Sequence, residues 1–397
     1  MSTLKVDTIN NNGTAVNLSA NAKVGAGFVR RTWISSAVKP TANLSEGDFW
    51  LNTSSDVLAI YLDSGSAEYK WYELEHTPLA QYLGGRALCI AGTLGGTTYT
   101  NVSTTTSAVI DYFTVQTTGN AGSFGSLGIA TYGQSAATGI MATRYISVGF
   151  ASVVTAAQIT ESKKLRYGTI ATAGNASDFG NRTGHGGIPA TASNGPRMVM
   201  VGGNTNTLPY GSRNIEYLAF ATLGDAAVFG NAYAGDRGNS CGVANTNGRA
   251  LIMGQGGQYA AVSDDIDYFD IATLGNAVTF GLLLSTSYGY AGGTSNATRA
   301  IWGGGSPGTN GNTIQYLDMQ TLGNSIDFGN LTAAVQFGVS GTGDATRAMF
   351  LGGAGSSWSS ISAAVFDYVS FGTPANAVDF GNLTTASRAA MGTTSGN

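Results

Sequence analysis

Apolar residues along most of the chain come in short runs of roughly four to eight, cut by Gly-rich turns, and hold no helical period; this pattern predicts β-strands. Four such runs follow one another from Arg299: "RAIWGGG" (strand a), "TIQYLDMQ" (b), "SIDFGNL" (c) and "AAVQFGVSG" (d). The same order of runs recurs along residues 84–397, so the chain reads as copies of one four-stranded unit.

The copies can be counted on three markers. Tyrosines stand at Tyr112, Tyr167, Tyr217, Tyr268, Tyr316 and Tyr368, and phenylalanines at Phe124, Phe179, Phe229, Phe280, Phe328 and Phe380, always 12 residues later. An Arg opens an apolar run that ends in Gly at Arg86, Arg144, Arg197, Arg249, Arg299 and Arg347. The first Arg precedes the first Tyr, and no Arg strand follows the last Phe. A ring explains this offset, because the first and last repeats then share one sheet; an open solenoid needs distinct capping repeats, and none is visible. The expected fold is therefore all-β: a six-bladed β-propeller with four-stranded blades, closed by an N-terminal strand at about 86–92 that completes the last blade.

Each marker carries an expectation. Tyr and Phe are read as packing between blades. Six arginines converging on one channel would repel, so hydrogen bonds to neighbouring carbonyls or carboxylates are the expected use of the Arg. The phrase "TLGN" predicts a tight b–c turn, and Pro374 in the sixth copy favours a two-residue loop over a three-residue one. Ala375, in place of the turn Gly, should make that turn the least comfortable of the six.

The spacings separate two faces. Tyr-to-Phe is constant and Phe-to-Arg varies only from 18 to 20, whereas Arg-to-Tyr runs from 17 to 26. Length variation thus collects in the a–b loops, at 92–108, 150–163, 203–214, 254–265, 304–313 and 353–364. Variable loops on a rigid scaffold are where binding residues concentrate. The ligand-contact candidates there are Tyr99, Asn101, Asn206, Tyr210, Tyr259, Asn310 and Trp358, because rings stack on apolar sugar faces and amides meet hydroxyls.

Composition narrows the chemistry. Charged residues are 11% of the chain and net charge is −4, with no basic run of groove-like pattern, so nucleic acid is excluded as an expected partner. The two cysteines, Cys89 and Cys241, are too few for a disulfide framework and read as buried thiols. His76 and His185 lie in different regions and give no catalytic triad, and no Cys/His cluster offers a metal site. The densest acidic cluster, Asp264, Asp265, Asp267 and Asp270, is the one place for paired-carboxylate glycan hydrolysis, although carboxylates flanking a strand edge are usually solvated. No enzyme activity, cofactor or metal is expected. The N-terminus has no signal-peptide core and no apolar run could span a bilayer, so membrane insertion is not expected either.

Before the repeats, residues 1–26 are polar and Asn-rich and read as an extended arm, and 27–80 as a small β module in which Trp50 and Trp71 can pack. The opening "MSTLKVDTI" and the phrase "GDFWLNTSSDVLAIYL…YKWYELE" resemble the N-terminal part of tail-fibre and other tail structural proteins of phages of cyanobacteria and other marine bacteria. The unit "IDYFDIATLGNA…FG…TRAIWGGG" is similar to repeats in the same group and, more distantly, to Kelch-type repeats. The second copy departs from the phrase, with Arg166 in place of the acidic residue before Tyr. The resemblance implies a virion protein, made in the host cytoplasm, whose N-terminal region (1–80) attaches to other tail proteins or oligomerises and whose propeller (84–397) is an adhesin for host-surface glycan or protein. It also implies a homo-oligomer, a trimer by analogy with phage fibres. The alternatives are a passive tail component packed against other virion proteins and a glycan-degrading tailspike.

Overall fold

The computed structural model describes residues 33–36, 38–42, 44, 48–52, 57–63, 69–73, 85–94, 106–131, 133–138, 144–150, 163–184, 189–203, 212–233, 235, 237–238, 240–245, 247–257, 260–287, 291–305, 311–335, 338–353, 355, 366–384, 388–389 and 393–395. Residues 1–32, which include the arm, lie outside them. The chain divides into two compact units, Met1–Pro78 and Leu79–Asn397.

The first unit is one sheet of four strands in chain order, Trp33–Ser36, Phe49–Asn52, Val57–Asp63 and Tyr69–Glu73, with the first pair parallel and the others antiparallel. The two tryptophans are its packing centre. Their rings meet edge to face at 5.8 Å, and Tyr61 lies 5.2 Å from Trp71. Both indole N–H groups find backbone acceptors, Trp50 on Ser36 and Trp71 on Pro40, so neither ring is buried at the cost of an unpaired donor.

The second unit is a six-bladed propeller of four-stranded antiparallel blades. Blade 3 shows the plan: Ala190–Ser193, Arg197–Val201, Asn214–Ala219 and Ala227–Asn231, each paired with the next. The sheet order is thus d–a–b–c, and the first strands of the six blades contact one another in a closed cycle around the axis. Ring closure joins the expected strand to the last repeat, but in the opposite sense: the last blade (340–379) is complete by itself, and the C-terminal strands complete the first blade. Arg86–Leu94 shares a sheet with the end of the chain, where Thr393–Ser395 pairs with Ala87–Cys89 and Arg388–Ala389 with Thr93–Leu94. The inner strand d is shorter and later than the sequence pattern implied. In blade 6 it is Ser340–Gly343, because residues 331–339 are needed to carry the chain from the outermost strand of one blade to the innermost of the next, a distance of about 14 Å. The crowded axis also explains the small residues of these strands. A Cβ on Gly341 would run into the backbone of Gly293, and one on Gly292 into that of Ser340.

Six hydrophobic clusters fill the six gaps between blades, and each draws residues from two neighbours. The marker Phe residues are 3–5% exposed and sit in these gaps. Each meets its own marker Tyr edge to face at 5.4–6.2 Å. The expected blade-to-blade role is therefore filled by both, Phe inside the gap and Tyr, half-buried, packed against the same two-blade cluster.

The arginines form no ring of free cations. Every guanidinium lies 4.6–5.3 Å from the ring centre of the Tyr in its own blade. It donates to backbone carbonyls of the next blade, for example Arg249 to Met319 and Gln320 and Arg197 to Ile271 and Ala272. Arg347 of blade 6 reaches Val115 of blade 1, so the closing seam is built like the others.

The "TLGN" phrase is not a tight b–c turn in either anticipated register. Tyr316 pairs with Ile326, Phe328 occupies a bulge, and the chain between the strands spans 319–325. The phrase instead lies across the seam. Gly323 N–H donates to Phe280 O, Ser325 N–H to Leu282 O, and the Asn324 side chain accepts from Leu282 N–H. The same side-chain bond recurs at every seam, from Asn120, Asn175, Asp225, Asn276 and Asn376. Pairing across the gap satisfies more backbone groups than a two-residue loop would. It also moves the demand for glycine. At the turn glycines Gly119, Gly174, Gly224, Gly275 and Gly323 a Cβ would meet nothing within 4 Å, so Ala375 has room. The Gly after each marker Phe is the crowded one, since a Cβ there would press on the neighbouring blade's turn carbonyl at closer than 3.0 Å.

Candidate binding face

In an antiparallel d–a–b–c blade the d–a and b–c connections lie at one end and the a–b connections at the other, together with the crossings to the next blade. The first end is repetitive. Asn194, Asn245, Asn296 and Asp344 each accept the backbone N–H of the Arg that follows, forming near-identical d–a turns. Asp344 additionally takes a side-chain bond from Gln116 across the closing seam. Burial pushes its carboxyl up, but this bond and those from Thr346 and Arg347 hold it below the usual range.

The opposite end holds the a–b loops, and here the blades differ. In blade 4 the expected loop at 254–265 is largely hairpin: Arg249–Gly257 and Ala260–Asp270 stay paired through two bulges, with Gly257 opposite Ala260. Blade 1 likewise keeps pairing to Thr93 and Thr106. All seven predicted contact residues, Tyr99, Asn101, Asn206, Tyr210, Tyr259, Asn310 and Trp358, lie outside the described residues, as do His76 and His185. What the structure does describe is the base on which those loops stand.

That base is a set of buried polar locks that sequence reasoning missed. The residue before each marker Tyr is buried: Asp111, Arg166, Glu216, Asp267, Gln315 and Asp367. Except for Arg166, each accepts from the residue four places after the Phe of the preceding blade. Thr384 N–H donates to Asp111, Thr183 to Glu216, Tyr233 to Asp267, Leu284 to Gln315 and Thr332 to Asp367. The repeated acid–Tyr dipeptide was the signal; alternation alone placed that acid on a strand without saying that its side faces a seam.

Two locks carry a buried counter-charge. Arg182 and Glu216 meet at 2.6 Å and Arg237 and Asp267 at 2.8 Å, with both pairs almost wholly out of water. Burial pushes the Glu216 carboxyl up, but the Arg182 charge and bonds from Thr183 and Gly184 outweigh it and hold the group below its ordinary value. At Asp367 burial, aided by the Asp379 charge, pushes the carboxyl up despite the bonds from Thr332. Arg237 also ties the loop bases together. Its guanidinium donates to Gly254 O, its N–H to Ser212 O, and its own carbonyl accepts from Gly203 N–H. The a–b connections of blades 3 and 4 are thereby fixed to one buried residue, the first through its backbone and the second through its guanidinium. Removing one partner of such a pair typically costs about 3–5 kcal/mol, because the other charge is left buried alone.

The chain matches no protein-family model and no curated protein.

The chemistry of the described residues follows from these bonds. In the acidic cluster Asp267 is spent on Arg237, Asp270 caps Ala272 N–H and Asp265 takes the Ser263 hydroxyl. No group of three or more His, Cys, Asp and Glu among the described residues could hold a metal ion. Neither cysteine is in a disulfide, both are buried, and burial pushes the Cys241 thiol up to about 12. No helix of the described residues is long and apolar enough to cross a membrane. A rigid ring with one repetitive end and one end of unequal loops is compatible with a binding role.

Proposed function

We propose that this protein is a tail-fibre or tail-tip protein of a phage virion, a non-enzymatic adhesin that binds the host cell surface through the a–b end of its propeller. The N-terminal unit then joins it to other tail proteins. The observation that carries the binding reading is the contrast between the two ends. Seams and d–a turns repeat around the ring, while Arg-to-Tyr spacing alone ranges from 17 to 26. The resemblance of the N-terminal phrases and of the repeat unit to marine-phage tail proteins supports the virion assignment. Low charge and loops rich in Tyr, Trp and Asn suit a glycan or an outer-membrane protein as receptor, and many weak copies on one particle would act by avidity.

The test is to incubate the purified chain with a panel of marine bacterial cells, cyanobacteria included, and with their isolated surface polysaccharide. The expected outcome is saturable binding to some cells with no shortening of the polysaccharide. Absence of binding across the panel would leave the passive tail component as the better account. Reducing ends released over time would point to a glycan-degrading tailspike.

A further inference from the structure

Two blades continue beyond the others at the a–b end, and they stand opposite each other. The innermost strands touch in blade order around a closed cycle of six, so blades 1 and 4 are three steps apart in either direction. In blades 3, 5 and 6 the a–b pairing ends at Val201–Ile215, Gly303–Ile314 and Leu351–Phe366. The matching rungs of blades 1 and 4 are Ile90–Ile110 and Met253–Ile266, and there a bulge and further pairs follow. These pairs are Gly92–Ser107 and Thr93–Thr106 in blade 1, and Gln255–Ser263 and Gly257–Ala260 in blade 4. Strand c goes with them. It runs for 10 residues in each, Gly122–Thr131 and Val278–Ser287, and reaches the equivalent rungs Ser107–Thr131 and Ser263–Ser287 past a second bulge. In blades 2, 3 and 5 strand c stops at the Asn two places after the marker Phe, where blades 1 and 4 have Ser126 and Leu282. The bulges are also fastened alike. Ser107 Oγ accepts the Val109 N–H at 3.1 Å and Ser263 Oγ the Asp265 N–H at 3.0 Å, so the N–H beside each bulge keeps an acceptor. Four residues at about 3.3 Å each carry both walls about 13 Å past the common rung.

We infer that these two walls are the sides of a trough across the a–b end, and that its ligand is an extended, uncharged polysaccharide held along its length. The inference rests on the adhesin reading and names the receptor class. A compact ligand needs a well that surrounds it. Walls on opposite blades, with pairing that stops lower on blades 3, 5 and 6, instead leave a path open at both ends. The axis is crowded: a Cβ on Gly242 would strike the backbone of Thr191 and one on Gly341 that of Gly293, so neighbouring inner strands meet backbone to backbone. Charge decides the ligand class. The six a–b stretches contain only five charged residues, Glu161, Lys163, Arg213, Asp264 and Asp265. Two of these are engaged within the chain, since Arg213 donates to the carbonyls of Ala232 and Tyr233 and Asp265 accepts the Ser263 hydroxyl. An acidic or basic polymer is recognised through a field of opposite sign, which this end does not supply. Hydroxyls and apolar ring faces, the surface of a neutral sugar chain, match the Ser, Thr, Asn, Tyr and Trp of these stretches.

The experiment takes the full chain and the surface polysaccharide of a bacterial strain whose cells it binds. The polysaccharide is separated into neutral and acidic fractions, and the neutral one is cut to a ladder of oligosaccharides. Binding is expected in the neutral fraction alone, with a Kd that changes less than about 2-fold between roughly 50 and 500 mM salt. Affinity should rise by at least about 10-fold from about three sugars to about eight. In the complex, hydrogen exchange should slow at 86–94 and 106–114 together with 249–257 and 260–270, at one oligosaccharide per chain. Deletion of 255–262, which lowers the blade 4 wall to the common rung, should remove the gain from lengthening the sugar chain. If circular dichroism shows that variant unfolded, the exchange pattern of the wild type decides. Binding to the acidic fraction, equal affinity for short and long oligosaccharides, or protection of one wall only would overturn the inference. Cell binding without binding to the polysaccharide would overturn it and leave the adhesin reading standing, whereas a chain that binds no cells sinks both.

Discussion

Alanine at Gly230 isolates what holds neighbouring blades together. The residue sits in the strand Ala227–Asn231, next to Phe229, and a Cβ there would press on the Gly275 carbonyl of blade 4 at closer than 3.0 Å. The obstacle is backbone, so no side chain can swing away. The blades must separate locally by about an ångström to restore ordinary contact, where overpacking of this kind costs about 1–3 kcal/mol. That displacement stretches two seam bonds, Ala277 N–H to Asn231 O at 2.8 Å and Asn231 N–H to Asn276 Oδ1 at 3.0 Å. Each is worth about 0.5–1.5 kcal/mol, which brings the total to about 2–6 kcal/mol. In a unit of this size the melting temperature should fall by on the order of 10 °C. Gly275→Ala is the internal control: it lies in the same seam, a Cβ there meets nothing within 4 Å, and the sixth copy already has Ala375 at the equivalent place. It should be neutral or stabilising by up to about 1 kcal/mol. Calorimetric and denaturant unfolding of both variants decides the matter. If Gly230→Ala unfolds within 0.5 kcal/mol of wild type (roughly the scatter of a surface substitution), or if the two variants are equally damaged, the seam account is wrong.

Other perturbations test the remaining parts. Arg249→Lys keeps the charge but loses the planar fork that lies over Tyr268 and donates to Met319 and Gln320, and should cost about 1–2 kcal/mol in chemical denaturation. Glu216, with its carboxyl held low, contributes stability that is present above its ordinary value of 4.5 and is lost as pH falls through the depressed folded value. The deficit of Glu216→Gln should therefore shrink in acid. Asp367 has the opposite sign: its raised carboxyl makes stability decline as pH rises from 3.8 through the folded value, and Asp367→Asn should remove that slope from the pH–stability curve. Cys241, buried and pushed up to about 12, should resist thiol reagents at pH 8 until the propeller is unfolded.

The alternation of short apolar runs was enough to identify strands, and the count of Tyr, Phe and Arg was enough to identify six units and the offset that closes them into a ring. These are properties of the chain alone, because side-chain period and repeat spacing are written in order along it. The use of the conserved-looking phrase was not legible in this way. "TLGN" carries every local mark of a hairpin turn, yet its N–H groups bond to a strand about 40 residues earlier, Gly323 to Phe280. The Gly after each Phe looked like part of a strand ending, and only the approach of the next blade gives it a reason to lack a Cβ. The acids before Tyr were visible as a pattern but not as locks, since burial of Glu216 or Asp267 depends on which neighbour covers it. The binding residues proposed on the a–b loops rest on chain-length variation, and the structure contributes the fixed base beneath them, from Arg237 and Asp267 to Thr332 and Asp367. Sequence by itself determined the strands, their number and the circular order. Tertiary structure decided which glycines are indispensable and where the charges are spent, because those depend on contacts between blades that are remote in the chain.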